Sequence, residues 1–158
     1  MSCDQYESSV TGRLLHTFGR ESARDQYRGG TLYVDHASGF VFHLHQVSLR
    51  ALDTINGKHA LERFAHQFGI DIKHYHADNG IFTCKYWERD CIAKSQHTTF
   101  SGVGAHHQNG VAERYIQTLT QWARAMMIHA HLHWPEEVDQ DLWPLALLYA
   151  TYLWNHLP

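Results

Sequence analysis

Residues 100–114 read FSGVGAHHQNGVAER and join a glycine- and histidine-containing loop to a long helical pattern. Glu113 lies near the start of that pattern. A second carboxylate, Asp78, lies in the motif HADNG at 76–80, and 34 residues separate the two. Hard divalent cations such as Mg²⁺ and Mn²⁺ prefer carboxylate oxygens, and a two-metal site draws several carboxylates from distant segments. The pair therefore predicts one shared cation site.

Hydrophobic patterning around the two motifs predicts an α/β layered domain. Five strands are expected at residues 1–6, 31–36, 40–48, 70–76 and 97–100, and four helices at 53–68, 85–94, 111–130 and 139–154. The polar residues 7–30 predict a long connection, and Ala37-Ser38-Gly39 predicts a hairpin turn. In this order Asp78 directly follows the fourth strand, and Glu113 lies on the polar face of the third helix.

Two histidines on the third predicted strand, His43 and His45, share one strand face. We expect them to be solvent-facing or hydrogen-bonded. Zinc binding is the less favoured alternative, because no cysteine or third ligand has suitable spacing.

Composition limits the classes of protein that this chain can belong to. Its 158 residues are enough for one domain with its own core. No apolar run approaches the ~18 residues of a membrane span. Three cysteines without CxxC spacing argue against a disulfide framework and fit a reducing, intracellular compartment. The net charge of −3 is unusual for a nucleic-acid-binding protein, which would need a local basic patch or basic flanking segments.

The motifs resemble those of one known family. The stretch QNGVAER at 108–114 resembles, residue for residue, that of Ty1/copia-type retrotransposon integrases, which belong to the D,D-35-E retroviral integrase superfamily. Asp78-Asn79-Gly80 resembles the family's DNG, and the region from Trp143 to the final Pro158 resembles its closing W-A-A-YL-N-P pattern. The resemblance covers nearly the whole chain and is weakest in residues 7–30. Both motifs occur in the family's order and spacing.

The resemblance implies a ribonuclease-H-like, three-layer α/β fold, with a five-stranded mixed sheet flanked by helices. It also implies a polynucleotidyl transferase that performs 3′-end processing and strand transfer of retrotransposon DNA, using two Mg²⁺ or Mn²⁺ ions. The expected partners are the element's DNA ends, target DNA and further copies of the chain. A nuclear location is expected, with no membrane association.

By the same resemblance, Asp4, Asp78 and Glu113 are the expected catalytic residues and metal ligands. The first carboxylate stays open between Asp4, in SCDQY, and Asp35, in YVDHASG. The family places its first ligand on the central first strand, beside the strand that carries the second ligand. Asp4 is therefore favoured, and Asp35 is the alternative first carboxylate.

DNA contacts are expected near the start of the long helix. The resemblance assigns them to Gln108 and Asn109. Some retroviral integrases carry lysines one and two turns after the catalytic glutamate, where this sequence has Gln117 and Thr120. Arg114 and Arg124 are therefore the candidate cations of this helix.

The ends of the sequence suggest a piece of a larger protein. A strand pattern begins almost at once, and the chain stops just after a helical pattern. We expect residues 1–158 to be the catalytic core from a longer polyprotein, without the family's N-terminal zinc-binding module and basic C-terminal region. The alternative is a catalytically silent integrase remnant that only binds nucleic acid or oligomerises, as the acidic charge favours. A ribonuclease H or another nuclease of the same fold is disfavoured by the two motifs.

Overall fold

A computed structural model describes residues 1–14, 26–102 and 109–157. The strands are β1 (Ser2–Gly12), β2 (Tyr27–Val34), β3 (Val41–Gln46), β4 (His74–Ala77) and β5 (His97–Phe100). The helices are α1 (Ala51–His66), α2 (Lys85–Ala93), α3 (Gly110–His133) and α4 (Trp143–His156), with short 3₁₀ turns at Ile81–Thr83 and Gln140–Leu142.

The strands form one mixed sheet in the order β3-β2-β1-β4-β5. The pairs β1–β2 and β2–β3 are antiparallel, whereas β1–β4 and β4–β5 are parallel. One face of the sheet packs a core with α1 and α2, and the other packs a core with α3 and α4. The predicted fold of a five-stranded mixed sheet between helical layers is therefore confirmed.

The alternation of side chains along β1 assigns its residues to the two cores. Cys3 is fully buried in the core beneath α1 and α2, while Tyr6 packs against the core beneath α3 and α4. Because successive strand residues point to opposite faces, Asp4 shares the face of Tyr6. This face is the one on which α3, the helix of Glu113, packs.

The first strand is longer than the sequence predicts. It continues to Gly12, and residues 7–12 therefore do not belong to a loop. Contacts from a distant segment hold this part of β1: the Trp143 indole N–H donates to the Val10 carbonyl (2.9 Å), and the Arg13 backbone N–H donates to the Asp141 carbonyl (2.7 Å). These tertiary bonds stabilise a polar stretch that local patterning assigns to a connection.

Several other boundaries differ from the predicted ones. Helix α1 begins at Ala51, two residues before the predicted start, so Asp53 lies in its first turn. Strand β4 contains only His74–Ala77. Helix α3 continues to His133, and α4 starts at Trp143. Strand β5 and the position of Asp78 directly after β4 agree with the prediction.

His43 and His45 are buried between β3 and α4, which contradicts their placement in solvent and fits the hydrogen-bonded alternative. The His45 Nε2–H donates to the Pro144 carbonyl (3.0 Å), and its Nδ1 faces the Tyr6 hydroxyl (2.9 Å). His43 Nδ1 bonds the Thr151 hydroxyl (3.0 Å), which itself donates to a backbone carbonyl. Burial lowers the pKa of His43 to about 3 and that of His45 to about 4.

A buried ammonium connects α1 to α2. Lys58 is fully buried, and its Nζ lies 2.6 Å from Asp90 and 2.8 Å from Glu62. Two aromatic rings, Tyr75 and Trp87, lie within 6 Å of the same nitrogen. The charge is therefore paired with two carboxylates and lies near two aromatic rings, and it links α2 to α1 and to β4.

Candidate active site

The parallel pairing of β1 with β4 brings Asp4 beside Asp78. Ser2 pairs with His76 and Cys3 with Ala77, so the next residues in register are Asp4 and Asp78. Neighbouring strands lie about 4.8 Å apart. Two aspartates that are distant in the sequence therefore lie side by side at the point where this ladder ends.

The segment after β4 is fixed by local hydrogen bonds. The Asp78 carboxylate accepts the Gly80 backbone N–H (3.1 Å), which is a typical Asx turn. The Asn79 side chain donates to the Ser101 carbonyl (2.6 Å), directly after β5. Asn79 thus connects the ends of two parallel strands and holds the turn that carries Asp78.

The first turn of helix α3, which carries Glu113, lies beside the start of β1. Ala112 is fully buried, whereas Glu113 is exposed on the polar face that it shares with Gln117 and Thr120. The residue before the helix, Asn109, is also fully buried, and its Nδ2 donates to the Cys3 carbonyl (3.3 Å). This bond joins the start of α3 to β1 one residue before Asp4.

The charges of Asp78 and Glu113 act on Asp4. The pKa of Asp4 is raised to about 6, mainly by burial and further by the negative charges of Asp78 and Glu113. Hydrogen bonds from the Gln5 backbone and from the Asn109 side chain oppose this rise. An acid that is half-buried beside two other acids is a typical arrangement for a cation site.

The carboxylates of Asp4, Asp78 and Glu113 are ligands that suit hard divalent cations, but in this structure they do not converge on one point. Among the described residues, no three His, Cys, Asp or Glu side chains are arranged tightly enough to hold a metal ion. Asp4 and Asp78 each accept a nearby backbone N–H, from Gln5 (2.8 Å) and Gly80 (3.1 Å). These local bonds fix the orientations of the two carboxylates. Both side chains would have to rotate before they could converge on one ion.

Asp35, the alternative first carboxylate, lies in a different environment. It follows β2 at the start of the hairpin turn, and it accepts hydrogen bonds from the Ser38 hydroxyl (2.7 Å) and backbone N–H (2.9 Å). The hydroxyl bond is the main cause of its lowered pKa. Val34 pairs with Ser2, so Asp35 lies roughly three residues, or about 10 Å along the strand, from Asp4. The geometry groups Asp4, and not Asp35, with Asp78.

The predicted DNA-contacting residues differ in their exposure to solvent, and one of them lies outside the described residues. Gln108 lies outside the described residues. Asn109 was expected to contact DNA, but its complete burial leaves no side-chain surface for such a contact in this conformation. Arg114 and Arg124 are exposed on α3, and Arg124 lies on the face of Glu113.

The positioning role of Asn109 is the feature that the sequence analysis missed. An Asn-Gly pair before a helix is typical of a capping position. The Asn109 side chain makes no cap bond and instead contacts β1. Only the tertiary structure reveals this partner, because 106 positions separate Asn109 from Cys3.

No protein-family model matches the sequence. Several solved structures share its fold. A chain of the simian T-cell lymphotropic virus intasome, solved in complex with PP2A regulatory subunit B56 gamma, matches with a TM-score of 0.67 and 19% identity; the match covers 99% of this chain and 48% of that one. This chain thus spans about half the length of the intasome chain.

Two isolated catalytic cores match over most of their length. The HTLV-2 integrase catalytic core domain, solved with magnesium in a dimeric form, has a TM-score of 0.63 and 16% identity; the match covers 99% of this chain and 86% of the HTLV-2 chain. The BIV integrase catalytic core domain has a TM-score of 0.64 and 18% identity, with 99% and 83% covered. These likenesses establish that the chain has the ribonuclease-H-like fold of integrase catalytic cores. In addition, no helix in the described ranges is long and apolar enough to cross a membrane.

Proposed function

We propose that this chain is the catalytic core of a Ty1/copia-type retrotransposon integrase, a polynucleotidyl transferase that joins element DNA ends to target DNA. The observation that carries the proposal is the grouping of Asp4, Asp78 and Glu113, from three distant segments, where β1, the end of β4 and the start of α3 meet. Burial raises the pKa of Asp4 to about 6, and the charges of Asp78 and Glu113 add to the rise. The likeness to retroviral integrase cores and the QNGVAER motif at 108–114 support the same conclusion.

The proposed cofactor is a pair of Mg²⁺ or Mn²⁺ ions held by Asp4, Asp78 and Glu113. The three oxygen-donor side chains suit these cations, and a similar core, that of HTLV-2 integrase, was solved in complex with magnesium. When bound, two such ions would stabilise the attacking and leaving oxygens of an in-line displacement. Asp4 must be ionised to act as a ligand. Its raised pKa therefore predicts weaker cation binding below about pH 6.

Neighbouring residues would hold the carboxylates and the DNA in position. Asn109 joins the start of α3 to β1, so it fixes Glu113 relative to Asp4. Asn79 joins the ends of β4 and β5 and so fixes the turn of Asp78. Arg114 and Arg124 are exposed cations on the same helix, suited to bind DNA phosphates. In this proposal Gln108 contacts the element's DNA end.

The assembly and location follow from the same proposal. The HTLV-2 core was solved in dimeric and trimeric forms, and the simian virus chain belongs to an intasome. We propose that this chain also forms homo-oligomers, works as part of a longer polyprotein product and acts on DNA in the nucleus.

The test is resolution of a branched oligonucleotide that mimics the strand-transfer product, in the presence of Mn²⁺. We expect activity in the wild type and its loss in Asp4→Asn, Asp78→Asn and Glu113→Gln, because each variant removes one anionic ligand. Asp35→Asn is the matched control, since it makes the same chemical change about 10 Å away along the strand. Loss of activity in Asp35→Asn alone would move the first ligand to the second strand.

A silent remnant that only binds nucleic acid or oligomerises is the competing proposal. The net charge of −3 and the polar Gln117 and Thr120 on the face of Glu113 favour it. Folded protein, extended to include its flanking segments, that binds DNA but never resolves the branched substrate would support the remnant and refute the enzyme.

A further inference from the structure

Strands β4 and β5 have one face that no helix covers in the parts of the chain that the structure describes. His74 and His76 on β4 point to this face, and their register partners on β5 are His97 and Thr99. His74, His97 and Thr99 are exposed and His76 is partly buried, whereas Tyr75 on the opposite face is buried. Because β4 pairs with a strand on each side, these four side chains form a polar floor within the sheet.

The floor leads directly to the proposed catalytic carboxylates. Asp4 lies on the same face of the sheet as Ser2, which is the register partner of His76. Asp78 follows β4 two residues after His76, and its negative charge contributes to the raised pKa of Asp4. The row across the strands that contains His76 and Thr99 therefore lies about 6.6 Å before the two aspartates. This spacing is close to that of successive phosphates along a DNA strand.

The Thr99 hydroxyl joins two of the imidazoles into one hydrogen-bonded array. His74 Nε2 and His76 Nδ1 each lie 2.9 Å from its oxygen. A hydroxyl carries one hydrogen, so with both rings neutral it donates to one ring nitrogen and accepts an N–H from the other. The ring that accepts carries its hydrogen on its second nitrogen, which points away from Thr99. Oriented N–H groups of this kind suit a ligand that only accepts hydrogen bonds, such as a phosphate.

The charge of the floor also suits an anion. Neither β4 nor β5 places an Asp or Glu side chain on this face before Asp78. Imidazoles are neutral or positive, never negative. A DNA strand lying here would therefore meet no fixed negative charge until it reached the carboxylates, which divalent ions would neutralise. The net charge of −3 makes such a local surface necessary for a DNA-binding protein.

We propose that His74, His97 and Thr99 bind the sugar-phosphate backbone of the substrate DNA strand, next to the phosphodiester that lies at the three carboxylates. This inference rests on the proposed integrase function and adds to it the path of the substrate strand. Phosphate contacts carry no sequence information, so binding here is independent of base sequence. Neutral side chains displace few counterions, so these contacts depend little on salt concentration.

The test is binding of a short, fluorescently labelled single-stranded DNA in Mg²⁺ at about pH 7.5, where imidazoles are mostly neutral. The parent protein carries Glu113→Gln, which keeps Asp4 and Asp78 and prevents turnover during the measurement. We expect Thr99→Val, His74→Gln and His97→Gln each to weaken binding roughly 2- to 10-fold, the value of one hydrogen bond. The slope of affinity against salt concentration should stay the same, because no cation is removed.

Two matched variants and one competitor separate these contacts from general effects. Thr99→Ser keeps the hydroxyl and should bind DNA as the parent does. His66→Gln removes an exposed imidazole from α1, on the other side of the sheet, and should also leave binding unchanged. Inorganic phosphate at the concentration of the DNA should not displace it, since it occupies one position where the strand makes several contacts. Efficient displacement would mean an isolated phosphate site and would overturn the inference.

Other outcomes distinguish a failure of this inference from a failure of the proposed function. If wild type resolves branched DNA while the three floor variants bind DNA as tightly as their parent, the strand path is refuted and the enzyme stands. Equal weakening by His66→Gln would refute the strand path as well. If the floor variants lose binding as expected but wild type never resolves branched DNA, the enzyme is refuted and the floor remains a DNA-binding surface.

Discussion

Acid should unfold this protein because His43 and His45 are buried in their neutral forms. Their folded-state pKa values are about 3 and about 4, whereas an unfolded histidine titrates near 6.5. A depressed pKa means that the unfolded chain binds protons first. The stabilisation is therefore complete above about pH 6.5 and is lost as pH falls towards the folded values.

The magnitude follows from proton linkage. Between about pH 7 and pH 5, each histidine gains its proton only in the unfolded chain, and each should lower the free energy of unfolding by roughly 2 kcal/mol. The two together amount to roughly 4 kcal/mol, a large part of the typical 5–15 kcal/mol total. Glu62, whose pKa is lowered to about 2 by hydrogen bonds from Lys58 and Lys94 despite its burial, contributes mainly at lower pH.

The local geometry explains why protonation is costly. His43 Nε2 is buried and has no hydrogen-bond partner among the described residues. A proton on that nitrogen would place a charged N–H group in the core without an acceptor. His45 already donates its Nε2–H to the Pro144 carbonyl, so a second proton would go to Nδ1, next to the Tyr6 hydroxyl.

The assay is urea unfolding at about pH 7, 6 and 5 for wild type, His43→Gln, His45→Gln and the exposed control His131→Gln. Each buried variant should lose about 2 kcal/mol of the fall in stability between about pH 7 and pH 5, whatever its absolute stability. The control should keep the wild-type pH dependence. Equal pH dependence in all four proteins would refute the assignment of acid sensitivity to the buried pair.

Three further changes test the contacts that build the site. Lys58→Met should lower the free energy of unfolding by about 3–5 kcal/mol, because it leaves Asp90 and Glu62 without their buried cation; the exposed Lys73→Met, measured by the same urea titration, should change it by less than about 0.5 kcal/mol. Gly12→Ala should cost about 1–3 kcal/mol, because its new Cβ would overlap Pro144 and Trp143, and thermal melts should show no such loss in Gly110→Ala, whose Cβ meets nothing within 4 Å. Asn109→Ala should cost about 1–3 kcal/mol by leaving the buried Cys3 carbonyl unpaired. It should also lower the rate of branched-DNA resolution at saturating Mn²⁺, whereas a purely structural role would change only the melting temperature.

Local patterning predicted most of the elements because their residues carry their own signals. The β-branched His97–Phe100 strand and the Asn-Gly start of α3 are examples. The second half of β1 was missed because Ser, Thr and Gly are typical of loops. The contacts that hold this stretch come from distant residues, among them its partners on β2 and the Trp143 side chain. Likewise, imidazoles usually lie at the surface, so the burial of His43 depends on a partner on α4, Thr151.

The residues of the candidate site that lie in local sequence motifs could be predicted, whereas their grouping in space could not. Asp78 and Glu113 were found from their neighbours in the chain. Their grouping with Asp4 depends on the register of β1 against β4, which no local pattern specifies. The burial of Asn109 also depends on this tertiary arrangement. The sequence therefore supplied the candidate ligands, and the fold supplied their relative positions.

The cluster of Asp4, Asp78 and Glu113 should destabilise the protein until a cation binds. The contribution of Asp4 to the free energy of unfolding can be measured. Its raised pKa, about 6, gives a contribution that is favourable below the unfolded value near 3.8 and is lost as pH rises through about 6. Discounted for partial exposure, the ionised group costs on the order of 1–2 kcal/mol at about pH 7.5. Asp4→Asn should therefore be more stable than wild type to urea at that pH without divalent ions. Added Mg²⁺ should stabilise wild type and leave Asp4→Asn nearly unchanged. If Mg²⁺ stabilised both proteins equally, Asp4 would not be a ligand, and its raised pKa would reflect burial without a role in metal binding.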